Sequence, residues 1–290
     1  MNIVKSFAII GGDARQIYMK QNLEEQGYEV SLCCFENYRK DCSLDIIQAD
    51  IAVGASDAVI LPIPASRDSE TLNAPFSASE VRLSEIFDLL RPEQTVFAGM
   101  LGSKRRSELF RKGIRVYDYA DRDEFAVKNA VPTAEGVVKI ASEKLPITIK
   151  GANIAITGYG RTAKAAAKAL LALGANVTVA ARRCSSLASA ENDGCRAIYL
   201  REMHRFAGGF DMLVNTVPAP VIDETILKKM RRDCVVADIA SAPYGVDFEA
   251  AKALGLDAFA AGSLPGAIAP KSAGIIIGET IMNIIREGSE

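Results

Sequence analysis

The sequence has few of the residues and patterns from which a function is often recognised. Its 290 residues include one histidine, no tryptophan and six cysteines without a C-x-x-C pair. The cysteines therefore support neither a disulfide framework nor a zinc site, and we predict no metal site. No segment approaches the roughly eighteen uninterrupted apolar residues that cross a bilayer. The amino terminus runs directly into a strand-like segment, so we expect a cytoplasmic protein without a membrane partner.

An excess of charge of one sign is also lacking. The chain carries 34 Lys and Arg against 36 Asp and Glu, a formal net charge of −2. This balance argues against an extended basic surface for nucleic acid. Any anion must therefore be bound by a local group of residues. The length suggests about two domains, and the hydrophobic content of 49% is ordinary for a globular chain.

Short apolar runs alternate with helix-like segments along the whole chain. In the first part, strands are predicted at residues 6–10, 29–35, 57–63, 95–100 and 115–119. In the second part, strands are predicted at residues 154–158, 176–181, 196–200, 211–217, 234–240 and 257–261. Because helix-like segments separate the strands, the pattern predicts an α/β fold with two doubly wound parallel-sheet lobes.

The two lobes are predicted to meet at a helix. Residues 1–130 are expected to form a flavodoxin-like domain for a substrate or partner, and residues 131–290 the second domain. Thr133 can cap a linker helix over 133–145, and a single connecting helix would leave an interlobe cleft. A last apolar helix over 270–286 is expected to pack in the core or back on the first domain, with a homodimer interface as the alternative.

A phosphate-binding turn is predicted where the first strand of the second domain meets its helix. Gly158, Gly160 and Ala163 have the spacing G-x-G-x-x-A. Gly158 allows the tight turn, Gly160 lets the backbone approach a pyrophosphate, and Ala163 lets the helix lie close to the sheet. The N–H groups at the helix start favour an anion. The pattern therefore predicts a Rossmann-type NAD(P)-binding domain. The other predicted contacts in this turn are Tyr159, Arg161 and Thr162.

The second strand of this domain indicates which nucleotide is bound. It ends in Arg182 and Arg183, where NAD-preferring domains commonly have an acidic residue for the ribose 2′-hydroxyl. A guanidinium can bind a 2′-phosphate through two hydrogen bonds, and an acidic side chain would repel it. The sequence therefore favours NADP, with NAD as the alternative.

Further cofactor contacts are predicted where later strands end, because open α/β sheets bind ligands at the carboxyl ends of their strands. Polar side chains in these segments can donate hydrogen bonds to the ribose and nicotinamide, and prolines can shape the loops. The predicted residues are Asn215, Thr216, Val217, Pro218, Ile239, Ser241, Gly262 and Leu264.

Three other side chains are candidates for holding an anionic substrate. Arg15 follows the Gly-Gly-Asp turn of the first strand, and Asn73 lies in a Pro- and Ser-rich loop. Lys271 lies near the start of the last helix, against the usual dipole preference. The alternatives are that Asp13 simply caps a helix with Arg15 in solvent, and that Lys271 reaches into solvent.

The single histidine constrains the chemistry. Many nicotinamide dehydrogenases that reduce ketones use a histidine as proton donor, but His204 follows the third strand, away from the predicted nicotinamide end. A reaction that needs a near-neutral general acid is therefore disfavoured. Oxidation of a partly unsaturated ring to an aromatic one needs less help, because aromatisation supplies driving force.

Taken together, several motifs resemble the family of the dipicolinate synthase A chain. They are G-G-D-A-R, N-A-V-P-T-A-E-G, I-T-G-Y-G-R-T-A, V-N-T-V-P-A, A-D-I-A-S-A-P-Y-G and A-G-S-L-P-G-A-I-A-P-K-S-A-G. The resemblance implies a pyridine-nucleotide-dependent oxidoreductase that converts dihydrodipicolinate to dipicolinate for bacterial spores. It also implies a partner, the flavoprotein-like B subunit. Hydride would pass from the substrate to NADP⁺, with Arg15, Asn73 and Lys271 holding the two carboxylates.

Two other interpretations stay open. A shikimate-dehydrogenase-like or methylene-tetrahydrofolate-dehydrogenase-like enzyme shares the two-lobe plan, and a Lys and Asp pair in the first lobe would favour it. A non-catalytic nucleotide-binding subunit would instead combine tight NADP binding with an apolar substrate lobe.

Overall fold

The computed structural model describes residues 4–39 and 44–288, and Cys42 lies outside these ranges. The first part of the chain alternates strands and helices from its first described strand onward. Its elements are β1 (Ser6–Ile10), α1 (Ala14–Glu25), β2 (Glu29–Cys33), α2 (Ala49–Ala55), β3 (Ala58–Ile60), α3 (Leu83–Leu89), β4 (Thr95–Ala98), α4 (Ser103–Arg111) and β5 (Arg115–Asp118).

A long helix, α5 (Asp123–Lys144), leads into a second alternating series. The strands of this series are β6 (Asn153–Thr157), β7 (Asn176–Ala181), β8 (Arg196–Tyr199), β9 (Met212–Asn215), β10 (Val235–Asp238) and β11 (Asp257–Ala260). The helices are α6 (Arg161–Ala172), α7 (Cys184–Asn192), α8 (Glu224–Leu227), α9 (Phe248–Ala253), α10 (Leu264–Ile268) and α11 (Pro270–Glu287). Over the described ranges, no helix is both long and apolar enough to span a membrane.

The chain divides into two compact units. The first contains the residues up to Lys128 together with those from Ala269 onward, and the second contains Asn129–Ile268. The last helix, α11, therefore belongs to the first unit, although it follows the second unit in the sequence. The division at Lys128 falls within α5.

The first unit contains one parallel sheet with the strand order β2-β1-β3-β4-β5. Successive residues of β1 face opposite sides, as the strand geometry requires. Phe7 and Ile9 pack with the apolar residues of α1 and α11, whereas Ala8 and Ile10 pack with those of α2, α3 and α4. The order is the one found in flavodoxin-like sheets, and it confirms the predicted doubly wound parallel sheet of the first lobe.

The second unit contains a parallel sheet with the order β11-β10-β9-β6-β7-β8. Ile154 and Ile156 of β6 face the small residues of α6 and the second half of α5, and Ala155 faces the side that α8 and α9 cover. The strand order reverses between β6 and β9, which is the arrangement of a dinucleotide-binding sheet. This confirms the Rossmann-type class of the second lobe.

Helix α11 packs closely on α1. A Cβ added at Gly274 would overlap the carbonyl oxygen of Arg15 and would lie 3.1 Å from the backbone nitrogen of Met19. One turn later, a Cβ at Gly278 would meet Met19 Cγ at 3.5 Å, an ordinary contact. The absence of a side chain at Gly274 therefore sets the distance between the two helices.

The linker helix begins earlier than the sequence predicts. We expected it to start at Thr133, but α5 starts at Asp123 and contains Pro132 in its interior. Pro132 has no N–H to donate to the preceding turn. The hydroxyl of Thr133 donates to the carbonyl oxygen of Asn129 at 2.8 Å, so it bonds within the helix instead of capping its start.

Candidate functional site

The glycine turn after β6 needs glycine at its first position. Gly158 has a φ of +78°, and a Cβ there would lie 2.9 Å from Val217 Cγ2 and 3.0 Å from Thr216 Oγ1. Its N–H donates to the carbonyl oxygen of Ala180 at 2.9 Å. The turn is thus held between β7 and the residues that follow β9, at the point where the strand order reverses.

The second glycine leaves an open space at a helix start. Gly160 is the N-cap of α6, no side chain caps this end, and a Cβ there would meet no atom within 4 Å. Ala163 is buried in the core beneath. Unshielded N–H groups at a helix N-terminus bind anions, and the missing side chain lets a ligand come close. These residues fit the diphosphate of a dinucleotide. Arg161 and Thr162, also predicted contacts, lie in the first turn of α6.

The side chain of Tyr159 points into the protein. It is 7% exposed, and its hydroxyl donates to Asp193 Oδ2 at 2.7 Å. Burial, together with the bond to Asp193, raises the pKa of Tyr159 far above its ordinary value, so the phenol stays protonated. Only the backbone of Tyr159 can therefore contribute to the predicted turn.

Arg182 and Arg183 follow the last residue of β7, and both are exposed. Arg183 is the N-cap of α7, but its side chain does not cap that helix. In the part of the chain that the structure describes, neither guanidinium has an ion-pair partner. The two charges are thus available to an anion beside the glycine turn.

Asn215, predicted as a cofactor contact, has a side chain that is fully engaged inside the protein. Its Nδ2 donates to Asp238 Oδ1 at 2.8 Å and to the carbonyl oxygen of Val217 at 3.0 Å. Its Oδ1 accepts from Thr157 Oγ1 at 2.5 Å. The neighbouring Thr216 hydroxyl donates to the carbonyl oxygen of Thr157 at 2.7 Å. Both side chains hold the loop after β9 against the end of β6.

Asp238 is a residue that we did not predict. It ends β10 with a fully buried carboxylate that accepts four hydrogen bonds, from Asn215 Nδ2 and from the N–H groups of Ala240, Gly245 and Val246. The one signal in the sequence is an aspartate that closes the otherwise apolar strand V-V-A-D.

The other predicted cofactor residues differ in exposure. The side chain of Leu264 is buried, and a Cβ at Gly136 would lie 2.9 Å from its Cβ, so only its backbone could reach a ligand. The partly buried residues are Val217 and Ile239. The exposed residues are Pro218, Ser241 and Gly262. Their contacts with a cofactor remain predictions.

In the first unit, Arg15 is buried and bonded. Its Nε and Nη2 donate to the two carboxylate oxygens of Asp13, each at 2.9 Å, and Nη2 also donates to the carbonyl oxygen of Ile63 at 2.7 Å. Asp13 also caps α1 by accepting from the backbone N–H of Arg15 at 3.0 Å. With 5% of its surface exposed, Arg15 does not lie in solvent, so that part of the alternative is wrong, although Asp13 caps the helix as the alternative expected. Asp13 compensates much of its charge.

Asn73 is held next to the same loop. Its Nδ2 donates to the carbonyl oxygen of Pro64 at 3.0 Å, and its backbone carbonyl oxygen accepts from the N–H of Gly12 at 2.8 Å. The structure thus brings Arg15 and Asn73 together around the turn after β3. Lys271 is exposed in the first turn of α11.

His204 lies at the border of the second sheet. It belongs to a 3-10 segment that follows β8, the edge strand, and its Nδ1 lies 3.1 Å from the carbonyl oxygen of Arg201. Two strands, β6 and β7, separate β8 from β9. The histidine is therefore distant from the ends of β9 and β10.

Two family models match the chain. Residues 6–120 match the N-terminal domain of the A subunit of dipicolinate synthase. Residues 148–282 match a model described as the acetohydroxy acid isomeroreductase NADPH-binding domain. The second match includes the glycine turn and the ends of β7, β9 and β10.

Similar proteins extend these matches to nearly the whole chain. The dipicolinate synthase A chain of Bacillus subtilis (strain 168) is 31% identical over 287 residues, which cover 97% of this chain and 95% of that protein. The crystal structure of the same component from Bacillus halodurans has a TM-score of 0.87 at 30% identity and covers 97% of both chains. The apo-structure of D-lactate dehydrogenase from Escherichia coli has a TM-score of 0.62 at 13% identity over 98% of this chain and 97% of that one, a likeness of fold alone.

Proposed function

The chain belongs to the family of the dipicolinate synthase A chain, and from this premise we propose that it oxidises dihydrodipicolinate to dipicolinate with NADP⁺. The observation that carries the proposal is the open, uncapped start of α6 at Gly160, in a chain that is similar to this family over almost its full length. The oxidation removes a hydride and a proton from the dihydropyridine ring. The nicotinamide accepts the hydride when it is bound, so the products are dipicolinate, NADPH and H⁺.

The second unit would hold the cofactor. The N–H groups at the start of α6 would bind its diphosphate, and Gly158 and Gly160 would let the backbone approach it closely. Ser241 and the backbone of the loops after β9 and β10 would orient the nicotinamide side. These groups act by positioning and orientation, which is the main protein contribution when a cofactor carries the redox step.

Arg15, Asn73 and Lys271 would hold the two substrate carboxylates. Asp13 and the Ile63 carbonyl fix the guanidinium plane of Arg15 in one orientation, and Nη1 takes part in none of these bonds. A fixed guanidinium loses little freedom when it binds a carboxylate. Asn73 is partly exposed next to it, and its amide oxygen and nitrogen offer an acceptor and a donor. In this direction the ring loses a proton, and aromatisation supplies driving force for that loss, so the proposal assigns no role to the histidine.

The partner in this proposal is a flavoprotein-like B subunit, and the process served is spore formation. The relatives are named as one component of a synthase, which is consistent with an enzyme of several different subunits. A homodimer is the alternative assembly.

The reaction can be tested directly with purified protein. Together with the B subunit, dihydrodipicolinate and NADP⁺, the protein is expected to raise the absorbance at 340 nm as NADPH forms. Reactions without substrate, and with NAD⁺ in place of NADP⁺, are the controls. No absorbance change with either nucleotide would overturn the proposed activity. If NADPH bound tightly without turnover, the protein would be a nucleotide-binding subunit.

Replacing Arg182 by aspartate should change which nucleotide is preferred. We propose that Arg182 binds the 2′-phosphate, so Arg182→Asp is expected to raise the Kd of NADPH about tenfold, the effect of losing one charge-assisted hydrogen bond. The Kd of NADH should stay constant or fall, because the repelled phosphate is absent. Titration of nucleotide fluorescence measures both, with little background from a chain that has no tryptophan.

The matched control is Arg232→Asp. Arg232 is exposed and lies just before the amino end of β10, whereas Arg182 follows the carboxyl end of β7. Its replacement changes the net charge equally. If Arg232→Asp weakened NADPH binding as much as Arg182→Asp does, the effect would be one of overall charge, and the assignment to Arg182 would fail.

A further inference from the structure

The loop that follows β10 begins and ends on a single carboxylate. Asp238 accepts a hydrogen bond from the N–H of Ala240 at 3.0 Å, where the loop begins. It also accepts from the N–H groups of Gly245 at 2.7 Å and Val246 at 3.0 Å, where the loop ends. Residues 241–243 are exposed and form the tip. Both ends of the loop are therefore fixed at one point.

The same loop is interlocked with the loop that follows β9. A Cβ at Gly245 would lie 2.5 Å from the carbonyl oxygen of Val217 and 2.6 Å from that of Ala219. The carbonyl oxygen of Gly245 accepts from the N–H groups of Val221 at 3.0 Å and Ile222 at 2.9 Å. Because these contacts join backbone to backbone, a shift of one loop moves the other.

Asn215 extends the connection to the glycine turn. It donates to Asp238 and accepts from the hydroxyl of Thr157, which directly precedes Gly158. All three side chains are buried. The carboxyl ends of β6, β9 and β10 are thus joined by one chain of hydrogen bonds.

The donors to Asp238 come from the end of β9 and from both ends of the loop after β10. Its four donors are neutral groups, one side-chain amide and three backbone N–H groups. An apolar residue in this place would leave these donors without a partner inside the protein, which is unfavourable. The carboxylate therefore imposes one geometry on the residues that donate to it.

We propose that Asp238 is a positioning residue for the nicotinamide half of the cofactor. In the order β10-β9-β6-β7, the glycine turn after β6 lies between β7, which leads to Arg182, and the loops that Asp238 holds. A dinucleotide with its diphosphate on the turn extends its adenosine half over β7 and its nicotinamide half over β9 and β10. Asp238 fixes the second side without touching the ligand. This inference rests on the proposed cofactor binding.

The test compares two ligands on Asp238→Asn. The amide keeps the size of the side chain but offers one acceptor atom in place of two, so some of the four donors lose their partner. NADPH reaches both sides of the turn, whereas 2′-phospho-ADP-ribose lacks the nicotinamide. We expect the Kd of NADPH to rise at least about tenfold and that of the fragment to stay within about twofold. Calorimetric titration measures both.

The exchanged variant, Asn215→Asp with Asp238→Asn, is expected to recover part of the NADPH affinity, because an amide and a carboxylate again face each other. If Asp238→Asn does not fold, the same two Kd values are compared on Asn215→Ala, which removes one of the four donors. The matched control is Asp211→Asn. Asp211 is another largely buried aspartate, but it accepts from the N–H of Asn153 at the amino end of β6. Asp211→Asn should lower the stability of the protein, but it should not change the Kd of NADPH relative to that of 2′-phospho-ADP-ribose.

The outcomes are distinct. If Asp238→Asn raised the Kd of both ligands equally, or of neither, Asp238 would be structural only and the inference would be overturned. If the unaltered protein bound neither ligand, the proposed cofactor itself would be wrong. Amide hydrogen exchange of residues 239–246 should be faster in the ligand-free variant, and unchanged exchange there would contradict the holding of this loop by Asp238.

Discussion

The Gly274→Ala protein is expected to lose about 3 kcal/mol of stability, at the upper end of overpacking effects. The added methyl group would overlap the carbonyl oxygen of Arg15 and lie 3.1 Å from the backbone nitrogen of Met19. Backbone atoms in a helix cannot turn away as the end of a side chain can, so α1 and α11 must separate. A loss of this size should lower the melting temperature by roughly 6–12 °C.

The matched control for this prediction is Gly278→Ala, one turn along the same helix. The new methyl group would meet Met19 Cγ at 3.5 Å and Asn22 Oδ1 at 3.6 Å, both ordinary contacts. Because alanine favours helix by about 1 kcal/mol over glycine, this variant should be as stable as the unaltered protein or more stable. Urea unfolding followed by circular dichroism measures both. Equal stabilities of the two variants would show that the helices are not held at the distance described.

Gly160→Ala should leave the protein folded and remove most of its affinity for NADPH. No atom lies within 4 Å of the added Cβ, so the melting temperature without ligand should fall only by the few degrees that a less favoured N-cap residue costs. If the diphosphate approaches the backbone at this residue, the methyl group occupies part of its place. We expect the Kd of NADPH to rise about 100-fold, equivalent to ~2.7 kcal/mol.

Two glycines serve as references for this prediction. Gly209→Ala also meets no atom within 4 Å but lies outside the turn, so it should change neither stability nor affinity. Gly158→Ala should reduce both, because that residue has a φ of +78° and a Cβ there would lie 2.9 Å from Val217 Cγ2. If Gly160→Ala bound NADPH as tightly as the unaltered protein, the diphosphate would not lie on this turn.

The elements that the sequence predicted well are those that local patterns determine. The limits of β7 agree with the predicted residues 176–181, because an apolar run there lies between clear turn signals. The start of α5 was predicted wrongly because the prediction used only local patterns. A proline such as Pro132 locally indicates a helix boundary, but α5 continues through it. The apolar residues Phe125, Ala130 and Ala134 of this helix are buried by tertiary packing, which local sequence patterns do not describe.

The candidate site divides in the same way. The turn at Gly158 depends on a few consecutive residues, so its spacing alone predicts it. Asp238 was missed because its partners include Asn215, 23 residues away, and loop residues seven and eight positions ahead. The environment of Arg15 could not be predicted either, since Ile63, which accepts its hydrogen bond, lies 48 residues further along the chain.

The position of α11 has a consequence for how the chain is made. The first unit includes residues before Asn129 and residues after Ile268, so the whole second unit is an insertion within it. During translation, the whole second unit is synthesised before α11, the helix that packs on Met19 and Leu23 of α1. A fragment that ends at Lys128 would contain all five strands of the first sheet and yet expose that apolar surface. Synthesis of the first unit therefore begins before that of the second unit and ends after it.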